Sequence, residues 1–150
     1  MSMHSRFKLM RTIDVDRVKT AIAAAERETS GEVRVSVARF FWVSTRHAAQ
    51  DAFARLGMAK TKDRNAVLFF IVPARKKFVV LGDEGIHAKV GQEFWDRLAG
   101  LMSGHFRKGE FTAGLVAAIE ECGRQLATHF PYDAAVDVNE LADDVDFGEN

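Results

Sequence analysis

Phe78-Val-Val-Leu-Gly-Asp-Glu-Gly-Ile-His-Ala-Lys-Val-Gly91 is the stretch on which the reading of this chain turns. Its apolar run, Phe78 to Leu81, stops at Gly82; Asp83 and Glu84 follow, then Gly85, then Ile86 and Val90 at helical spacing up to Gly91. The pattern is a buried strand that delivers an acidic turn, flanked by glycines, onto the start of a helix. Glycine supplies backbone angles closed to other residues, and the amino end of a helix favours the two carboxylates.

Working outward, residues 66–72 (AVLFFIV) form a continuous apolar run, as expected of a central strand buried on both faces. A turn at Pro73-Ala-Arg-Lys76 links it to residues 77–81, and the two make a hairpin. Further upstream, Glu32-Val-Arg-Val-Ser-Val-Ala38 alternates, with Val33, Val35 and Val37 on one side. A helix capped by Asp14 precedes that strand and ends at Thr29-Ser30-Gly31, and a second helix runs from near Thr45 to Gly57. Beyond Gly82 everything is helical in pattern, at about 84–90, about 92–106 and about 110–129. Phe94, Trp95, Leu98, Met102 and Phe106 are assigned to the core, as are Phe111, Leu115, Ile119, Cys122 and Leu126. An α/β fold results, with a small mixed sheet covered by helices on both faces.

The 150 residues suffice for one domain with its own core. Residues 1–13 read as a lead-in, 14–132 as the domain and 133–150 as an acidic tail. That tail holds seven acids and no base, leaving 21 bases and 14 acids in residues 1–132, a net charge of +7. The single Cys122 excludes an internal disulfide and a cysteine zinc cage. There is no signal-peptide core and no apolar run long enough to span a bilayer, so a soluble, cytoplasmic protein without an integral membrane segment is expected.

Topology directs the search for chemistry. With 32–38 parallel to 66–72 and 77–81 antiparallel, three connections meet at one sheet edge and bring together Glu32, Asp63, Arg64, Asn65, Asp83 and Glu84. Four carboxylates and an amide suit a hard divalent cation, Ca²⁺ or Mg²⁺. The metal-ligand candidates are therefore Glu32, Asp63, Asn65, Asp83 and Glu84; the catalytic candidates are Asp83, Arg64 and His87, the last as a proton carrier behind the acidic turn. The bland alternative has Asp83 capping the next helix and Glu32 paired with Arg64. The opposite edge carries Arg39, Phe40, Phe41, Trp42 and the turn Arg75-Lys76-Lys77, where bases interleaved with aromatics could grip a membrane surface, a protein or a single nucleic-acid strand. The protein and membrane partners are kept, and no nucleic acid is expected. Asp14-Val-Asp16 looks like a phosphatase DxD but opens a helix, and no HExxH, GxSxG, Walker or GxGxxG pattern is present.

Several stretches, in order, resemble the TPM domain family: Thr29-Ser-Gly-Glu-Val-Arg-Val35, Arg64-Asn-Ala-Val-Leu68, Gly82-Asp-Glu-Gly-Ile-His87, Val90-Gly91, Phe94-Trp95, Phe106-Arg-Lys-Gly-Glu-Phe-Thr-Ala-Gly-Leu115, His129-Phe-Pro131 and Asn139-Glu-Leu141. The resemblance implies a three-layer α/β/α sandwich, divalent-cation binding in some bacterial members and a proposed acid phosphatase activity in plant members. The acidic positions it carries over are Glu32, Asp83 and Glu84, with Arg64 and Asn65 beside them.

Overall fold

Ala66–Val72 is buried at every position, and the rest of the chain is arranged around it. The computed structural model describes residues 12–39, 41–134 and 145–148. Phe40, most of the lead-in and the Asn139-Glu-Leu141 stretch lie outside the described residues.

In chain order the elements are α1 (Val15–Glu26), β1 (Glu32–Val37), α2 (Thr45–Arg55), β2 (Ala66–Val72), β3 (Lys77–Gly82), α3 (Glu84–Phe106), α4 (Phe111–His129) and β4 (Val145–Asp146). Single 3-10 turns at Met58–Lys60 and Pro73–Arg75 flank β2. The sheet order is β3-β2-β1-β4. β1 runs parallel to β2, with Glu32 opposite Ala66 and Val37 opposite Ile71. β3 returns antiparallel, with Val67 opposite Gly82 and Val72 opposite Lys77.

The period-two rule divides β2 between two cores. Val67, Phe69 and Ile71 join Val33, Val35 and Val37 beneath α1, α3 and α4. Ala66, Leu68, Phe70 and Val72 pack instead on Ala49 and Ala52 of α2 and on Met58. Helices thus cover both faces, and the expected α/β/α sandwich is the observed one. Every helical residue assigned to the core from α3 and α4 is buried.

Local chemistry sets the element ends. Asp14 and Ser44 cap α1 and α2 by accepting from the amides of Arg17 and His47. The two helices expected around Gly91 are present as the two arms of α3, which meet at a kink on that glycine, whose φ of 72° and ψ of 174° lie outside helical space. Among the described residues no helix is long and apolar enough to cross a membrane.

The sequence predicts three strands, and the described residues form a sheet of four. β4 comes from within the acidic tail, lying parallel to β1 with Val145 opposite Val35 and Asp146 opposite Ser36. Two residues are too short for a periodic signal, but Val145 and Phe147 are buried and extend the core. Asp146 holds the strand in place. Its Oδ2 accepts from Ser36 Oγ at 2.8 Å and from Arg55 Nη2 at 2.7 Å, while Arg55 Nη1 reaches Oδ1 at 3.2 Å. Burial pushes this carboxyl up, but the bonds from Arg55 and Ser36, the Arg55 charge and the Gly148 amide outweigh it and hold Asp146 below its ordinary range.

Two outcomes are expected on urea unfolding. Phe69→Ala opens the core under β2 and costs about 3–5 kcal/mol, whereas Leu101→Ala, at a more exposed site, stays within about 0.5 kcal/mol. A carboxyl depressed in the folded state stabilises above its unfolded pKa, and that contribution disappears as pH falls through the folded value. Asp146→Asn therefore lowers stability near pH 7 and flattens its decline below about pH 4, as urea midpoints measured across that range will report.

Candidate functional site

The parallel pairing of β1 with β2 and the return of β3 bring three connections to one edge. Glu32 opens β1 opposite Ala66, and the Asp83 amide donates to the Ala66 carbonyl at 2.9 Å, carrying the ladder one residue past β3. Glu32, Asn65 and Asp83 consequently lie at the same end of three neighbouring strands, and all three are buried, at 2%, 1% and 7% exposure.

Arg64 fastens this edge with both its main chain and its side chain. Its backbone is left-handed, with φ at 50°, which for a non-glycine residue marks local strain. In that conformation its carbonyl accepts from the amides of Gly85 at 2.8 Å and Ile86 at 3.3 Å, tying down the first turn of α3. Its guanidinium grips Asp83 with two bonds, Nε to Oδ2 at 2.6 Å and Nη2 to Oδ1 at 2.8 Å, and Nη1 reaches Glu84 Oε1 at 3.2 Å. The paired geometry is the strong arrangement for arginine and carboxylate. Hydrogen bonding to Asp83 raises the Arg64 pKa above its ordinary value; burial opposes this, and the charges of Asp83 and Glu84 add to the rise. Asp83 also caps α3, its Oδ1 accepting from the Glu84 amide at 2.8 Å.

The predicted site residues fall as follows. Glu32, Asn65 and Asp83 line the buried edge, Glu84 stands at its exposed rim on Arg64, and Asp63 is exposed in the connection before it. Among the described residues, no three histidine, cysteine, aspartate or glutamate side chains converge closely enough to hold a metal ion by themselves. The expected cap on α3 is present. Arg64 pairs with Asp83 and Glu84, where the sequence suggested Glu32.

Oxygen donors other than carboxylates complete the edge. Asn65 Nδ2 donates to Ser30 Oγ at 3.4 Å, which leaves Asn65 Oδ1 buried with no hydrogen-bond partner. Thr61 Oγ1, in the same β2 approach, is likewise buried without a partner. Such orphans are rare in folded proteins and call for an explanation. Thr61 was not among the sequence candidates, since a lone threonine in a polar stretch gives no signal.

His87 points elsewhere. Its Nδ1 accepts from Trp95 Nε1 at 2.9 Å, which in the neutral ring leaves the hydrogen on Nε2. The two side chains line a groove of about 320 Å³ along β3, with Arg46, Gln92 and Asp96 at its rim. Cys122 offers no nucleophile: burial, helped by the Glu121 charge, pushes its thiol up to about 12.

An α/β/α sandwich whose acidic sheet edge is closed by an arginine is the class these features define. The TPM domain matches residues 8–125, and the chain belongs to that family. In three dimensions it is similar to the BA42 protein of the psychrophilic bacterium Bizionia argentinensis, solved by NMR: 36% identity, a TM-score of 0.83, and 89% of this chain and 92% of that one covered. It also shares its fold with the N-terminal domain of the cg2496 protein of Corynebacterium glutamicum, at 14% identity and a TM-score of 0.52, over 84% of this chain and 74% of that one. No curated protein sequence matches the chain.

Gly85 tests the closure of the edge. A Cβ there would lie 2.1 Å from the Asp63 carbonyl oxygen and 2.6 Å from that of Arg64, both main-chain atoms that cannot swing aside. Gly85→Ala is expected to cost about 3 kcal/mol in urea unfolding, whereas Gly100→Ala, which meets nothing within 4 Å, should be neutral or slightly stabilising on its helix.

Proposed function

We propose that the edge formed by Glu32, Asn65 and Asp83 binds a hard divalent cation, Ca²⁺ or Mg²⁺, with Asp63 and Glu84 as further oxygen donors at its rim. The observation that carries this reading is the Asn65 carbonyl oxygen, buried with no donor directed at it, at the same sheet end as the buried Glu32 and Asp83. A hard cation takes oxygen ligands of this kind, amide carbonyl and carboxylate together. Family membership supports the reading.

Arg64 sets the terms of binding. Its guanidinium supplies the positive charge that Asp83 requires in the absence of a metal, so a cation and the Arg64 fork compete for the same carboxylate oxygens. A bound divalent cation supplies Lewis acidity toward a phosphoryl oxygen. Released from Asp83, Arg64 offers a phosphate the same planar pair of donors. Weak phosphatase activity is the enzymatic extension of the proposal.

Calorimetric titration of Ca²⁺ and then Mg²⁺ is the test. Wild type should bind one of them, Asp83→Ala should lose the heat, and Asn65→Ala should weaken binding by about tenfold, the equivalent of about 1.4 kcal/mol. A flat wild-type trace with both ions would sink the cation site. Hydrolysis of an aryl phosphate no faster than by the Asp83→Ala variant would remove the phosphatase extension alone.

A further inference from the structure

We infer that the opposite end of the sheet is a docking surface for an anionic phospholipid bilayer, with Trp42 and Val43 entering the interface and a ring of bases meeting the headgroups. Two connections build it, the one leaving β1 and the one joining β2 to β3. Arg75 ties them together: its Nη2 donates to the Phe41 carbonyl at 3.3 Å, and its guanidinium carbon lies 4.5 Å from the centre of the Phe41 ring. Phe41 in turn packs on Phe70 of β2, with ring centres 6.0 Å apart. Turning Phe41 inward leaves the next two residues at the apex, Trp42 at 92% exposure and Val43 at 43%. An anchored loop that holds a tryptophan at this exposure presents a large apolar area to its surroundings, the mark of an interaction surface.

Within the two connections themselves the charge has one sign. Residues 38–47 and 73–78 contain five Lys and Arg (Arg39, Arg46, Arg75, Lys76 and Lys77) and no Asp or Glu. All five are exposed. Lys76 takes the left-handed conformation, φ 51°, that closes the Pro73–Arg75 turn at this end. Tryptophan belongs at the boundary between headgroups and acyl chains, and clustered bases are drawn to anionic lipid. A nucleic-acid strand fits less well. Stacking along a strand needs successive exposed aromatic rings, whereas Phe41 is held inward and the neighbour of Trp42 is the aliphatic Val43.

Vesicle binding by the full chain tests the inference, with phosphatidylcholine alone set against phosphatidylcholine containing one-third phosphatidylglycerol. Sedimentation with the anionic vesicles only is expected, accompanied by a blue shift in tryptophan emission. Trp95, buried against Phe94 and bonded to His87, leaves Trp42 as the source of that shift. Trp42→Ala should abolish the shift and weaken partitioning about tenfold, Lys76→Glu with Lys77→Glu should do at least as much, and Trp42→Phe should keep most of the binding. Circular dichroism of each variant, all at exposed positions, confirms that they fold. No sedimentation, equal binding to neutral vesicles, full binding by Trp42→Ala, or tighter binding to a single-stranded oligonucleotide than to anionic vesicles at the same salt would each overturn it.

Discussion

A buried carboxylate needs a positive partner, and the way Asp83 obtains one organises this domain. Asp83 sits where the β2–β3 hairpin ends and α3 begins, with almost no access to water. Leaving its charge unpaired there would cost several kcal/mol in rough terms. Arg64 answers from the other side of the hairpin, and its left-handed backbone does a second job by directing its carbonyl at the Gly85 and Ile86 amides. One residue therefore holds the first turn of α3 by side chain and main chain together. The close approach excludes a Cβ at position 85, so the glycine follows from the closure. α3 then bends at Gly91 before it packs along α4, and both helices cover the larger of the two cores.

The two ends of the sheet are chemically opposite, and topology is the reason. Parallel β1 and β2 place their amino ends together, with β3 returning to deliver Asp83 and Glu84 to that end. Their carboxyl ends open onto the loop after β1 and the basic turn between β2 and β3. Oxygen donors collect at one end, and bases with an exposed tryptophan collect at the other, about the length of a six-residue strand, or ~20 Å, away. The proposed cation site and the proposed lipid surface are thus physically separate and can fail separately.

Much of this was legible in the sequence because the signals were long. A seven-residue apolar run, an alternating valine strand and helices with four or five core positions each leave little choice of element or face. That the connections carrying Glu32, residues 63–65 and residues 83–84 reach one end of the sheet followed from strand directions alone. What the sequence withheld depends on single contacts. Nothing in the composition says that Arg64 turns to Asp83 and Glu84 and away from Glu32, because that choice rests on one left-handed residue. β4 spans two residues of the acidic tail, and its place beside β1 is fixed by the tertiary contacts of Asp146 with Arg55 and Ser36. His87 follows the acidic turn in sequence, yet it bonds to Trp95, two helical turns further on.

The Arg64–Asp83 coupling is the central claim, and a double-mutant cycle measures it directly. Urea unfolding of wild type, Arg64→Ala, Asp83→Ala and the double variant, all with chelator present, separates the pair from any bound cation. The double variant should lose clearly less stability than the two single variants combined, since each single change already breaks the pair. Losses that simply add would contradict the account and leave Arg64 as a surface residue that happens to lie near a helix cap.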